Sequence, residues 1–399
     1  MLDLSDGEEL TQGAVVRVGP SVVAHQPLGG DPLRIEPLKG PCNEVCDGLR
    51  SLIAVQFDVG QARVVIDDRV REVIAHPCAL IHPVAAAIVV SAKAGPFNLG
   101  DVVTRATINV DPHTGAAIVT SDQLPQIIDG VPLRVKTINV TLDRSGFMLN
   151  PTSCAQMQIT GAVVGALPSG APGSTVPVST PYAVAGCKGL PFKPKFMVST
   201  RAKATKKNGA SLHVRVKSGP GQANIAKVKV NLPVQLPSRL STLQKACVDR
   251  VFDANPAGCP AASVVGSAMA VTPLLAKPLT GPAYLVSHAG AAFPDLEIVL
   301  QGEGITLILD GNTQIKKGIT SSIFKAVPDA PISTFDLVLP QGPHSALAAF
   351  GSLCTSKLNM PTVITGQNGA VIKQSTKIVA IGCSKHKKAK ARHATKRGR

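Results

Sequence analysis

The residues whose types and spacing most directly imply chemistry are cysteines, of which the 399-residue chain has nine. Cys154 and Cys187 enclose the end of one segment, and Cys354 and Cys383 enclose the end of a later one that reads as its diverged copy. Cys247 and Cys259 bracket a helix end and a tight NPAG turn. These six read as three disulfides, each closing a loop of about 12 to 33 residues and contributing roughly 3 kcal/mol by constraining the unfolded chain. The competing reading is six small buried hydrophobes. If the disulfides form, the protein resides outside the cytosol.

Other reactive groups form no recognisable constellation. Cys42 and Cys46 have three intervening residues, the wrong spacing for a thioredoxin-type pair. His76, Cys78 and His82 lie near them in sequence but at no zinc-site spacing. A nucleophile elbow is missing: Gly266-Ser267 and Gly351-Ser352 stand in strand-and-turn surroundings. Gly302-Glu303-Gly304 lacks the Lys-Ser/Thr ending of a phosphate loop. Asp310-Gly311-Asn312-Thr313 lacks the acid spacing of a calcium loop and reads as a hairpin turn. The expectation is therefore no catalytic, cofactor-binding or metal residues, and no cofactor.

The remaining chemistry is ionic. Net charge is +16, and half of it sits in the last fifteen residues, which hold eight cations and no acid: Lys385, Lys387, Lys388, Lys390, Arg392, Lys396, Arg397 and Arg399. Such a tail stays solvated and disordered. It attracts polyanions (anionic envelope polymers, lipid headgroups or nucleic acid) in a salt-dependent way. Aromatics make up 3% of the chain, with no Trp, which weighs against sugar-binding clefts and base-stacking platforms.

The elements that must position these groups read as short strands. Gly (36) and Pro (32) punctuate runs rich in Val, Ile and Thr. Asp111 to Gly115 (DPHTG) reads as the turn of a hairpin, Asn208-Gly209 as another. LRVKTINVTL (133–142), SLHVRVKS after Gly209, and KVKVNLP (227–233) alternate as strands. Residues 165–181, rich in Gly, Pro, Ser and Thr, read as a long loop. One short helix is expected near 238–252, where Leu240, Leu243, Ala246, Cys247 and Val251 recur at helical spacing. No run approaches the roughly 18 apolar residues of a membrane-spanning helix.

Landmarks recur between the two segments. Pro132, Cys154, Ile159-Thr160-Gly161 and Cys187 are answered by Pro331, Cys354, Ile364-Thr365-Gly366 and Cys383. This divides the chain into a poorly defined region 1–83, a partial copy 84–189, a second copy 190–384 with possible subdomains 190–265 and 266–384, and the disordered basic tail 385–399. Residues 1–83 begin with an acidic, polar stretch unlike a signal peptide. They read either as a different N-terminal domain or as a non-native frame or start.

The stretches Ser241 to Gly266, Leu279 to Gly304, Gly311 to Ser322, Pro328 to Ala348 and Met360 to Val371 carry motifs such as NPAGCPAASVVG, GPAYLVSHAGAAFPDLEIVLQGEG and MPTVITGQNGAV. Together they resemble a group of exported, repetitive, multi-domain β-sandwich proteins of high-GC actinobacteria, many ending in a Lys-rich tail. The likeness covers about residues 95–383 and not 1–83, and implies no catalytic or ligand residues.

The resulting expectation is an all-β protein of tandem immunoglobulin-like, two-sheet sandwiches. Its expected role is noncatalytic: a disulfide-stabilised structural or adhesive protein, extracellular or envelope-associated, with anionic envelope polymers as partners and no transmembrane segment. A nucleic-acid-associated protein using the same tail, and a hydrolase without a recognised motif, are the alternatives.

Overall fold

A computed structural model describes residues 12–18, 53–58, 61–65, 86–94, 97–128, 130–132, 138–140, 149–167 and 171–383. Two large sheets account for it.

The first sheet has nine strands. In chain order they are β1 (Gln12–Val18), β2 (Ile53–Asp58), β3 (Gln61–Val65), β4 (Ala86–Ala94), β5 (Phe97–Val110), β6 (Ala117–Ser121), β9 (Ile138–Val140), β10 (Met157–Ala166) and β11 (Pro172–Tyr182). Between β6 and β9, β7 (Ile127–Ile128) and β8 (Val131–Pro132) form a small ribbon of their own. The spatial order is β11-β10-β1-β6-β5-β4-β2-β3-β9. β5 and β6 are joined by the expected DPHTG turn, in which the Asp111 carboxylate accepts from Thr114 N and Oγ1 and from His113 N. Residues 172–182 correct the expectation of a loop: β11 pairs along β10 from Tyr182 to Pro172. It is the outermost strand of the sheet, so Pro172, Pro177 and Pro181 need not donate to a neighbour on the far side.

The remaining strands are β12 (Lys195–Arg201), β13 (Leu212–Lys217), β14 (Ile225–Asn231), β15 (Cys247–Val248), β16 (Val264–Val271), β17 (Leu279–Ser287), β18 (Asp295–Gly302), β19 (Ile305–Lys316), β20 (Ile319–Phe324), β21 (Thr334–Leu339), β22 (Asn359–Gly366) and β23 (Val371–Ile381). Eleven of them form a ring. It runs β17-β16-β21-β13-β12-β23-β22-β14-β20-β19-β18 and returns to β17 through the β17–β18 ladder. Here the tandem-sandwich expectation is corrected: the protein is all-β, but this part is a closed barrel. An odd number of strands cannot alternate direction all the way round, so one neighbouring pair must run parallel. That pair is β12 and β23, matched from Val198–Ile378 to Arg201–Ile381.

Two tight hairpins build one wall. Glu303 (φ 49°) and Gly304 (φ 78°) turn β18 into β19, and Lys317 (φ 50°) and Gly318 (φ 74°) turn β19 into β20. Two successive positive φ angles give the backbone twist that matches paired strands. Asp310 to Thr313, expected as a turn, instead lie within β19. Gly311 pairs with Phe324, and a Cβ there would stand 2.6 Å from the Phe324 ring, so the glycine admits the aromatic.

The helix expected over 238–252 is broken in two, α1 (Leu240–Leu243) and α2 (Asp249–Ala254), with β15 between them. The break follows from two destinations. Leu243 is buried in the barrel core, while Cys247 pairs beside Val286 and joins an outer cluster with Phe252, Tyr284, Val299 and Ile308. Leu240 and Val251, from the same helical stripe, remain exposed. No helix among the described residues is long and apolar enough to cross a membrane.

Candidate functional site

All three expected disulfides are formed: Cys154–Cys187, Cys247–Cys259 and Cys354–Cys383, with Cα separations of 5.6, 5.4 and 5.7 Å. The first and last each close the open end of a hairpin, β10–β11 and β22–β23 respectively. The basic tail, Lys385 to Arg399, lies outside the described residues, as do Cys42, Cys46, His76, Cys78 and His82. Ser267 is in β16, and Ser352 lies in the stretch before Cys354.

The barrel interior is the first candidate site. Strand alternation sends every second side chain inward, and along β13 these are Leu212, Val214 and Val216. Their neighbour Arg215 and the preceding His213 point outward, where both bond Asp336 of β21 (2.7 and 2.8 Å). Eight strands make a barrel that side chains just fill. Eleven strands lined by Val and Leu leave a cavity of about 180 Å³, far above the ~15 Å³ that one water needs. Its wall is apolar apart from Ser218, Asn224 and Ser322. The Ser322 hydroxyl is buried and finds no hydrogen-bond partner among the described residues.

The loop joining β20 to β21 forms part of this wall through Val327, Pro328, Ala330 and Ile332. It is fastened to the first half of the chain by Asp329. That carboxylate accepts from Thr152 N (2.8 Å), Thr152 Oγ1 (2.7 Å), Ser153 N (3.0 Å) and Asn224 Nδ2 (2.8 Å). Thr152 Oγ1 in turn accepts from Asn224 N.

A second cluster lies on the outside of the barrel. Tyr284, Glu297 and Asp310 sit side by side on β17, β18 and β19, and Asp295 shares the face of Glu297 two residues along. His288 Nε2 is 3.4 Å from Glu297 Oε1. His113, from the DPHTG turn, reaches Asp310 Oδ2 at 3.3 Å, and Pro112 O accepts from Ile308 N beside it. Asp295 is well supported by Asn312 Nδ2 (2.8 Å) and Thr313 N (2.7 Å). Glu297 is only 3% exposed, and its Oε2 accepts no hydrogen bond from the described residues. Burial first, then the adjoining Asp310, then Asp295 and Asp253, push its carboxyl up to about 9.

Neither site was found by reading motifs. The cavity follows from strand count and closure. The cluster draws on positions 113, 288, 295, 297 and 310, too scattered for any linear pattern. A usable signal did exist in Asp295-x-Glu297, two acids at one strand's period inside an apolar run. No family model matches the chain, and no curated protein matches it.

Proposed function

We propose that this protein is a noncatalytic, exported carrier that holds an apolar, acyl-chain-like molecule inside its barrel. The observation that carries this reading is the almost wholly apolar cavity that side chains leave inside an eleven-stranded ring. Concave apolar space with a few polar groups is what small-molecule binding requires. Ser322 supplies such a group, a buried hydroxyl in an apolar wall with no partner among the described residues.

Three disulfides support a setting outside the cytosol, and weigh against a cytosolic nucleic-acid role for the tail. At the cell envelope the basic tail would hold the carrier close to anionic polymers or headgroups. This reading keeps the exported, envelope-associated and noncatalytic character expected from the sequence, and replaces adhesion with carriage. To test it, protein secreted under oxidising conditions is extracted with organic solvent and the extract analysed by mass spectrometry. The stripped protein is then titrated with a long-chain fluorescent fatty acid. Co-extraction of an apolar molecule with saturable binding supports carriage; an empty extract and no saturable binding overturns it.

A further inference from the structure

We propose that His288, Asp295 and Glu297 form a binding site for a zinc-class divalent cation on the outer wall of the barrel, with Asp310 and His113 at its edge. One nitrogen and two carboxylate oxygens of the three main residues all lie within 4.8 Å of one another. Small closing movements would bring them to the ~2.0–2.2 Å at which zinc takes imidazole and carboxylate ligands. The imidazole argues for a zinc-class ion over calcium or magnesium, which prefer all-oxygen shells.

Clustered acids alone establish no site, but Glu297 adds an independent observation. It is only 3% exposed, yet no donor among the described residues reaches its Oε2, and the side chain facing it, Asp310, is itself an acid. A buried acceptor without a donor is costly, and a cation is the partner its surroundings suit. Asp295 has the outer support expected of a metal ligand, since Asn312 and Thr313 fix both of its oxygens. His288, about a third exposed, leaves the approach open to solvent. Asp310 faces Glu297 and holds His113, so a bound ion would also brace the DPHTG turn against the barrel. This inference is independent of what occupies the barrel interior.

The test uses the full oxidised chain, stripped with EDTA and titrated with zinc chloride by calorimetry and thermal unfolding. Wild type is expected to bind one zinc at this site and to gain roughly 5 °C in Tm at a hundredfold excess over Kd. Glu297→Gln and His288→Ala should each weaken binding at least tenfold. His386→Ala/His393→Ala, in the tail, should leave it unchanged and so controls for adventitious binding. Glu297→Gln replaces a buried carboxyl with a neutral amide of nearly the same shape and is expected to fold at least as well as wild type, which circular dichroism checks. Unchanged zinc affinity in both Glu297→Gln and His288→Ala overturns the proposal, as does a Tm gain abolished by the tail substitutions.

Discussion

Glu297 and Asp310 stand directly opposite each other across the β18–β19 ladder. Like charges at such a pair of positions repel, and here Glu297 is buried with one oxygen, Oε2, reached by no donor among the described residues. Either a proton or a cation must relieve the pair.

In EDTA-treated protein, Glu297→Gln is therefore expected to stabilise the fold near neutral pH. Its folded pKa of about 9 lies above the ordinary glutamate value of 4.5. The stability that goes with its protonated form is thus complete below the unfolded value and is lost as pH rises toward 9. Thermal unfolding should show the variant gaining on wild type by ~1–3 kcal/mol at about pH 8, with the gap closing toward pH 5. An equal gap at both ends of the range contradicts the raised pKa of Glu297.

Asp336 gives the opposite pH dependence. Burial would raise its pKa, but hydrogen bonds from Arg215 and His213, and their charges, outweigh that and hold it below the usual carboxylate range. Its contribution is present above the unfolded value of about 3.8 and is lost as pH falls through the lower folded value. Asp336→Asn should flatten the acid limb of a stability–pH profile below about pH 4, while changing little of its shape above pH 6.

Filling the cavity should separate binding from folding. Val214→Phe or Val228→Phe adds volume to the interior wall and is expected to cut affinity for the fluorescent fatty acid at least tenfold. Stability should change by ~1 kcal/mol or less, because space is already there. Undiminished affinity in both variants would place the ligand elsewhere.

The Asp329 latch joins residues far apart in sequence, and Asp329→Ala leaves two backbone donors, at Thr152 and Ser153, without their acceptor. The expected loss is ~2–3 kcal/mol. Amide exchange should accelerate at Thr152 and Ser153, and far less at the buried Ile364 of β22.

Replacing Cys354 and Cys383 with Ser should cost roughly 3–4 kcal/mol on the chain-entropy account of a loop of this length. Nonreducing peptide mapping of wild type checks the pairing itself, including Cys154–Cys187 and Cys247–Cys259.

Local features of this fold were legible in the sequence where they depend on neighbours along the chain. SLHVRVKS alternates because one face of β13 meets the interior and the other meets Asp336. DPHTG reads as a turn because Asp111 accepts from the two residues that follow Pro112. Closure was not legible, since it rests on Val198 meeting Ile378 and Leu285 meeting Leu296, pairings that alternation permits but does not specify. Asp310-Gly311 misled because a glycine after an acid signals a turn locally, whereas Phe324 requires that glycine in a strand. The acid cluster stayed hidden for a related reason: its members become neighbours only once β17, β18 and β19 are in register.

The parallel pair of β12 and β23 joins the earliest strand of the ring to its latest. A chain emerging from a ribosome or a membrane pore in N-to-C order therefore cannot seal the barrel until residues 378–381 are out. Until then β12 and β22 each keep a free edge, and unpaired edges recruit other chains. β23 is the strand that seals the ring, so a barrel truncated before Val371 lacks the cover for both edges, and aggregation is its expected fate.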